Sequence, residues 1–308
     1  MKKKFLLAFR IIVSLILLIY LFNKTDIANI LTAMKSTRLH MLILPFFLIA
    51  VGFLISALRW QILLNAQDIS ISLWKLTKYY LEGSFFNNFL PTTIGGDILR
   101  TYEASKSSGS ITQSFTVIVV ERLTGIFALI AYAILGLQFG YSTFGNFHLV
   151  WITAGIFLVL LIILISGAGL QGGKLEENTN TDLLSKAKGL INKVFFTLHF
   201  YRDKKKALFK ALLLAFILQF NVIIFFYIIS YSLDLKPPFY YFLIIIPIIH
   251  VILMFPVSIN GIGIRENTFI FFLSKIGIGA ATSVALSWLA FAMVLIYAIV
   301  GGIIYAIK

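Results

Sequence analysis

Residues 91–100 (PTTIGGDILR) interrupt one long apolar segment, and residues 256–265 (PVSINGIGIR) interrupt another. Aligned at Pro91 and Pro256, the two stretches share Pro, Ile, Gly and Arg at the same offsets, and an acid lies close to each arginine. Proline cannot continue a helix, and glycine permits the tight backbone that a turn requires. Each stretch therefore predicts a helix break, marked by Pro91 or Pro256, between two half-helices.

The sequence around these breaks is typical of a membrane protein. Of its 308 residues, 60% are apolar and only 12% are charged, and the mean hydropathy is +0.97. A soluble chain of this length needs more polar residues to cover its surface. We predict an all-α polytopic membrane protein with about six full transmembrane helices. The expected spans are residues 5–22, 41–64, 113–140, 147–170, 207–233 and 279–306.

The two interrupted segments, residues 73–100 and 239–277, are predicted to be re-entrant hairpins of broken helices. Glu82, Asn87 and Asn88 precede the first break, and unpaired polar atoms facing hydrocarbon cost several kcal/mol each. We therefore expect both hairpins to be enclosed by the other helices.

Lys and Arg in the loops indicate the orientation of the chain. Three lysines precede the first span and eight basic residues occupy residues 171–206, so both regions are predicted to be cytoplasmic. Residues 140–148 carry no Lys or Arg, and residues 234–238 carry only one lysine, so both connections are predicted to lie outside. This arrangement places Lys24, Lys35 and Arg38 outside, against the same rule.

Alternation of the spans then requires the first hairpin to enter from the cytoplasm and the second from outside. One membrane domain, residues 1–308, would thus consist of a first half (1–170), a basic cytoplasmic loop (171–206) and a second half (207–308). The two halves form a predicted inverted repeat in the plasma membrane, with both termini cytoplasmic. Residues 5–22 are expected to stay as the first helix, because no signal-peptide cleavage site follows them.

A phosphate group is the ligand that the two breaks favour. Half-helix N-termini present N–H groups and a positive dipole end, and a guanidinium group matches phosphate bidentately. The predicted lipid headgroup site comprises Arg100, Arg265, Gly95, Gly96, Asp97, Asn260, Gly261 and Gly263. The predicted supporting polar network comprises Glu82, Asn87, Asn88, Glu121, Arg122 and Glu266, with Glu121 expected to reach Arg100 or Arg265.

The alternative interpretation is purely structural. Pro and Gly also allow close helix packing, and the two arginines can extend to an interface or pair with Asp97 and Glu266. Two matching copies with the same arginine favour the functional interpretation, because ionisable groups inside a membrane are costly.

Several other kinds of site are not expected. The chain has no cysteine, its four histidines are scattered without metal-ligand spacing, and no Walker-type phosphate loop occurs. We therefore predict no metal, no cofactor and no ATP-driven transport by this chain alone. His250 is expected to be a hydrogen-bonded packing residue. The basic residues that give the net charge of +14 flank the apolar runs, so nucleic acid is not an expected partner.

Motifs in a fixed order carry a resemblance to a known family. They are ALRWQILL at residues 57–64, FFNNFLP at 85–91, IGGDILR at 94–100, ERLTG at 121–125 and IGIRE at 262–266, after the second proline. The chain resembles the lysylphosphatidylglycerol synthase transmembrane region, the flippase-like domain family, over nearly its whole length. Asn260 stands where the family commonly has Gly.

The resemblance implies a membrane domain that moves a lipid between leaflets. Its headgroup would carry phosphate, as in an aminoacylated phosphatidylglycerol or a glycolipid. In the multiple peptide resistance factor this domain precedes a soluble synthase that uses aminoacyl-tRNA. Residues 171–206 are too few for such a catalytic fold, and three residues follow Tyr305. We therefore expect no lysyltransferase activity and no enzyme.

Two other hypotheses stay open at this point. A membrane-embedded transferase acting on a polyprenyl-phosphate sugar needs a general base, and Asp97, Glu82 or Glu121 would serve. A non-transporting protein that binds lipid for a separate lipid-modifying enzyme has the same sequence features. The expected partner in each case is an anionic or aminoacylated phospholipid or related lipid, and a homo-oligomer is compatible with this composition.

Overall fold

The regular secondary structure of the described residues is helical throughout. A computed structural model describes residues 12–13, 15–22, 25–89, 95–140, 201, 203–254, 258 and 260–308. The helices in these ranges are α1 (Leu15–Phe22), α2 (Ile27–Lys35), α3 (Ile43–Asn65, preceded by a 3₁₀ turn at Leu39–Leu42), α4 (Leu73–Phe89), α5 (Gly95–Ser108), α6 (Ile111–Phe139), α7 (Lys205–Ser232), α8 (Phe239–Met254), α9 (Ile264–Ser274) and α10 (Ala280–Ile307). The predicted all-α fold class is confirmed.

Four helices are long and apolar enough to cross a bilayer. They are Leu39–Asn65, Ile111–Phe139, Lys205–Ser232 and Ala280–Ile307, each of 27 to 29 residues. At about 1.5 Å per residue, this length exceeds the roughly 30 Å hydrocarbon core. They coincide with four of the six expected spans, so the chain is a multi-pass membrane protein.

The other two expected spans are described in part or not at all. Helix α1 covers the described end of the first expected span, and its axis is turned by 79° from that of α2. The expected span at 147–170 and residues 171–200 of the basic loop lie outside the described residues.

Each interrupted segment forms a pair of helices, α4 with α5 and α8 with α9. Helix α5 continues to Ser108, beyond the predicted end of the first segment at residue 100. It ends there because Gly109 adopts a left-handed φ of +69°, after which Ser110 caps α6 by accepting a hydrogen bond from the Gln113 amide at 3.3 Å. The expected breaks at Pro91 and Pro256 lie outside the described residues.

The buried apolar residues form two clusters. One lies mainly between α7, α8, α9 and α10 and includes Phe242 and Phe269, both fully buried. The other lies mainly between α3, α4, α5 and α6 around Trp60 and Leu76. The first pair, α4 and α5, contributes to the second of these clusters, and α8 and α9 contribute to the first.

Several packing contacts are repeated between the first half, helices α3 to α6, and the second half, helices α7 to α10. Helix α4 packs against α10, and its counterpart α8 packs against α6, while α3 packs against α7. Within the first half, α4 packs against α5, α5 against α6, and α3 against α6. The corresponding contacts of the second half are α8 with α9, α9 with α10, and α7 with α10. If the labels α3, α4, α5 and α6 are exchanged with α7, α8, α9 and α10 in that order, each of these contacts becomes another contact in the same set.

Candidate functional site

The first helix pair is held together at two glycines. The Gly96 amide donates a hydrogen bond to Asn87 Oδ1 at 2.7 Å, so Asn87 satisfies the backbone at the start of α5. A Cβ atom on Gly96 would collide with the carbonyl oxygen of Gly83, and Gly95 is buried beside it. Only glycine allows this approach of α4 and α5, and the Gly96 N–H is already occupied.

Glu121 of α6 is the centre of a buried ion-pair network. It accepts hydrogen bonds from Arg100 of α5, from the Tyr80 hydroxyl of α4, and from Arg59 Nη2 of α3 at 2.8 Å. Glu121 is 4% exposed, and Arg59 and Arg100 are each 6% exposed. One carboxylate thus joins four helices. Glu121 was expected to reach Arg100 or Arg265, and its partner in the structure is Arg100.

Asp97 and two aromatic rings complete the surroundings of Arg100. Asp97 accepts a hydrogen bond from Arg100 Nη1 at 3.4 Å and pairs with Arg122. The Arg100 guanidinium carbon lies 3.7 Å from the ring centroid of Tyr80 and 4.4 Å from that of Trp60. Aromatic faces stabilise a guanidinium group at such distances. These contacts occupy most of the Arg100 side chain within the protein.

The second helix pair begins α9 from a left-handed turn. Asn260, Gly261 and Gly263 have φ angles of +53°, +73° and +83°. Glycine adopts this region without strain, and Asn tolerates it better than most residues, so Asn260 replaces the family's usual Gly without losing the turn. The Gly263 amide donates to Glu266 Oε2 at 2.8 Å. This N–H group is therefore occupied within the chain, like that of Gly96.

Arg265 pairs with the residue next to it. Its Nη2 donates to Glu266 Oε1 at 3.0 Å, and its Nε donates to Ser287 Oγ of α10 at 2.9 Å. Its guanidinium carbon lies 4.4 Å from the ring centroid of Phe291. The remaining guanidinium nitrogen, Nη1, has no hydrogen-bond partner among the described residues.

A cavity of about 460 Å³ lies beside Arg265, between α3, α4, α7, α8 and α10. This volume is within the usual range of small-molecule sites. The polar residues that line it are Ser56, Tyr80, Asn88, Gln219, Asn221, His250, Asn260 and Arg265, and most of the remaining lining is aliphatic or aromatic. A mainly apolar cavity with several polar side chains is suited to a polar group that is attached to a hydrophobic molecule.

The two helix pairs meet at this cavity. Asn260 Nδ2 donates to the Asn88 carbonyl oxygen at 3.2 Å and to Asn88 Oδ1 at 3.3 Å. Arg100 is not among the described residues that line the cavity. Tyr80 lines it and also contacts Arg100 and Glu121, so this ring lies between the cavity and the ion-pair network.

Asp97 and Arg122 line a separate cavity of about 560 Å³. The rest of its lining comes mainly from α5 and α6, with Met254 at the end of α8. The predicted headgroup residues are therefore divided: Arg265 and Asn260 line the first cavity, and Asp97 lines the second.

Glu82 belongs to a third group, away from the predicted network. Its carboxylate accepts from Lys308 Nζ at 3.4 Å, and the same nitrogen lies 3.0 Å from a Glu103 carboxylate oxygen. Lys106 also donates to Glu103, at 3.1 Å. These contacts join α4, α5 and the end of α10.

Several residues at these sites are absent from the predicted set, among them Arg59, Trp60, Tyr80, Gln219 and Asn221. An arginine inside the apolar residues 41–64 is costly unless it is paired, so the sequence contained a reason to select Arg59. Gln219 and Asn221 are single polar residues in a long apolar helix, and only the packing of α7 reveals that they line the cavity.

The helices and cavities define a multi-pass helical membrane protein with a mainly apolar cavity that several polar side chains line. The chain belongs to the family described as Lysylphosphatidylglycerol synthase TM region, which matches residues 7–302.

Similar proteins include the UPF0104 membrane protein PH1989 of Pyrococcus horikoshii, 25% identical over 166 residues, which are 53% of this chain and 48% of that protein. A UPF0104 membrane protein of Methanothermobacter thermautotrophicus is 30% identical over 109 residues, 35% of this chain and 30% of the relative. The matched region thus spans less than half the length of these curated relatives.

Proposed function

We propose that this chain moves a lipid with a phosphate-bearing headgroup from one leaflet of the plasma membrane to the other. The observation that carries the proposal is the 460 Å³ cavity, in which Arg265 Nη1 has no partner among the described residues and uncharged polar side chains surround it. A guanidinium group binds phosphate well, and the apolar helices around the cavity suit acyl chains. The headgroup binds to Arg265, while Arg100 stabilises the helix arrangement.

The topology that we propose is an inverted repeat with two re-entrant helix pairs and both termini in the cytoplasm. The repeated packing of α3–α6 and α7–α10 supports it, as does the distribution of Lys and Arg in the loops. Inverted repeats place broken helices and binding groups near the bilayer midplane in many transporters. The cavity at the contact between the two helix pairs has that position in the proposal.

Single cysteines test this topology, because the chain contains none of its own. Cysteines placed at Lys236 and Lys275, on either side of the second helix pair, should both react with an impermeant maleimide from outside. Cysteines at Lys106 and Lys210 should react only after the membrane is opened. If the cysteines at positions 236 and 275 were labelled from opposite sides, the second helix pair would span the membrane and would not be re-entrant.

Leaflet exchange tests the function itself. The purified chain would be reconstituted into vesicles that contain fluorescent phosphatidylglycerol, and dithionite would bleach the label in the outer leaflet. We expect bleaching to continue beyond the outer-leaflet fraction, as it does not in empty vesicles. Lipid binding without exchange would instead favour a lipid-binding partner of a separate lipid-modifying enzyme.

A membrane transferase is the weaker alternative. Asp97, Glu82 and Glu121, the carboxylates available as a general base, are each ion-paired with Arg or Lys. None of these three carboxylates is among the described residues that line the 460 Å³ cavity. Transfer of a radiolabelled sugar that is lost in Asp97→Asn would support the transferase over the translocase.

A further inference from the structure

The charged residues that line the 460 Å³ cavity indicate which lipid headgroups it can bind. Arg265 is the only Asp, Glu, Lys or Arg among the described residues that line it. Glu266, which neutralises this arginine, is 1% exposed and is not among those lining residues. Its two oxygens accept from Gly263, Arg265 and Ser287. A ligand in the cavity therefore meets a guanidinium nitrogen and no carboxylate of the described lining.

The other polar groups of the cavity suit hydroxyl groups. Gln219 Oε1 is buried and has no hydrogen-bond partner among the described residues. His250 Nδ1 lies 2.9 Å from the Ile246 carbonyl oxygen, which can only accept, so Nδ1 donates and a neutral ring presents Nε2 as an acceptor. A hydroxyl group donates to such acceptors, while the headgroup phosphate accepts from Arg265 Nη1.

The carboxylates in the neighbouring cavities do not offer an ammonium site. Asp97, in the 560 Å³ cavity, is bound by Arg122 and Arg100. Glu82, which lines another cavity near the end of α10, is bound by Lys308. An ammonium group entering either place would have to displace a cation that the protein already holds.

We infer that the headgroup is an anionic phosphate that carries hydroxyl groups, such as a phosphoglycerol or a glycosyl phosphate, and that the cavity rejects an aminoacylated headgroup. The inference rests on the proposed function, whose substrate class it narrows. An ammonium group in the cavity would lie near the Arg265 guanidinium and would find no carboxylate to pair with among the described lining residues, because Glu266 already accepts from Gly263, Arg265 and Ser287. Specificity then comes from an unfavourable contact with the wrong headgroup as much as from a favourable one with the right headgroup.

Competition between two lipids with identical acyl chains tests this inference. The purified full chain in detergent would be given equal amounts of phosphatidylglycerol and lysylphosphatidylglycerol, and bound lipid would be counted by native mass spectrometry. We expect phosphatidylglycerol to be bound about tenfold more, which corresponds to about 1.4 kcal/mol. Arg265→Gln, the matched control for binding in this cavity, should remove the preference.

Gln219→Glu adds a carboxylate to the cavity and should raise the share of lysylphosphatidylglycerol by about tenfold. Asn221→Asp is the second variant of the same kind, for use if Gln219→Glu does not fold. Equal or preferred binding of the lysyl lipid by the wild type, binding of neither lipid, or unchanged selectivity in the folded acidic variants would overturn the inference.

Leaflet exchange of the same two lipids separates this inference from the proposed function. Selective binding of phosphatidylglycerol without exchange would leave the headgroup inference intact and contradict translocation. Exchange of both lipids at equal rates would support translocation and contradict the headgroup inference.

Discussion

The first helix pair, α4 and α5, and the second, α8 and α9, hold equivalent places in the packing but use their arginines differently. Arg100 pairs with Glu121 on another helix and is enclosed by aromatic rings. Arg265 pairs with Glu266, its neighbour on the same helix, and lines the 460 Å³ cavity at the contact of the two pairs. The two arginines therefore differ in whether their acid lies on another helix or is the next residue in the chain.

The same comparison shows that the two halves offer their arginines different partners. In the first half, Glu121 on α6 collects donors from α3, α4 and α5. At the related contact of the second half, α10 provides Ser287, a neutral partner, and Arg265 Nη1 has no hydrogen-bond partner in the part of the chain that the structure describes. We attribute the different roles of the two arginines to this difference between an acid and a hydroxyl.

Removal of Glu121 should have the largest effect. Glu121→Ala leaves the guanidinium groups of Arg59 and Arg100 buried without their shared carboxylate, and breaking a buried ion pair in this way costs about 3–5 kcal/mol. We expect a large fall in thermal stability in detergent, measured by the loss of folded protein on heating.

The matched control is the exposed pair of Arg38 and Asp234, 3.1 Å apart, because Asp234→Asn should change stability by less than about 1 kcal/mol. Equal losses for the two changes would show that Glu121 does not organise the first half.

Loss of the close helix contact in the first pair should rank second. Gly96→Ala places a methyl group against the Gly83 carbonyl oxygen, and overpacking of this kind costs about 1–3 kcal/mol. Thermal unfolding in detergent again gives the measurement. Gly279→Ala is the control, since its nearest contact would be Thr282 Oγ1 at 3.9 Å. Similar stability of the two variants would contradict the close approach of α4 and α5.

Replacement of each arginine by lysine separates the two roles. Arg100→Lys keeps the charge but loses the stacking on Tyr80 and the fork that reaches two carboxylates, a loss of about 1–2 kcal/mol. Arg265→Lys should lower stability less, because Glu266 keeps its bonds to Gly263 and Ser287.

We therefore expect Arg100→Lys to lose more stability and Arg265→Lys to lose more lipid binding, when unfolding and lipid binding are measured on both variants. If Arg265→Lys proves the less stable variant and binds lipid normally, the assignment of roles is reversed.

The contact between the two pairs should give the smallest effect. A double-mutant cycle with Asn88→Ala and Asn260→Gly measures the side-chain hydrogen bond, and glycine preserves the left-handed turn at position 260. We expect a coupling of about 0.5–1 kcal/mol in unfolding free energy. Strict additivity would mean that the two pairs meet without energetic coupling through these side chains.

Much of the fold follows from the sequence because the bilayer limits the choices. A spanning segment needs about 20 apolar residues and an internally bonded backbone, so four spans and the two helix pairs were predictable. The extension of α5 to Ser108 was not, because its last turns are polar and their stop depends on the left-handed Gly109.

The candidate site was predictable only where partners lie near a break. The link from Glu121 to Arg100 and the role of Asn87 follow from buried charge and unpaired backbone. Whether Gln219 lines the cavity depends on the rotation of α7 about its own axis. Hydropathy does not determine that rotation in a helix that is apolar on all sides. Glu82 is adjacent to Lys308 only because α4 packs against α10.

The central claim is that Arg265, and not a charge elsewhere on the surface, binds the headgroup that the protein moves. The direct measurement is the leaflet exchange rate of fluorescent phosphatidylglycerol, per folded molecule, for Arg265→Gln and for the exposed control Arg38→Gln. Loss of a hydrogen bond from a charged donor should slow exchange about tenfold or more in Arg265→Gln, with Arg38→Gln equal to the wild type. Exchange by folded Arg265→Gln at the wild-type rate would contradict the account.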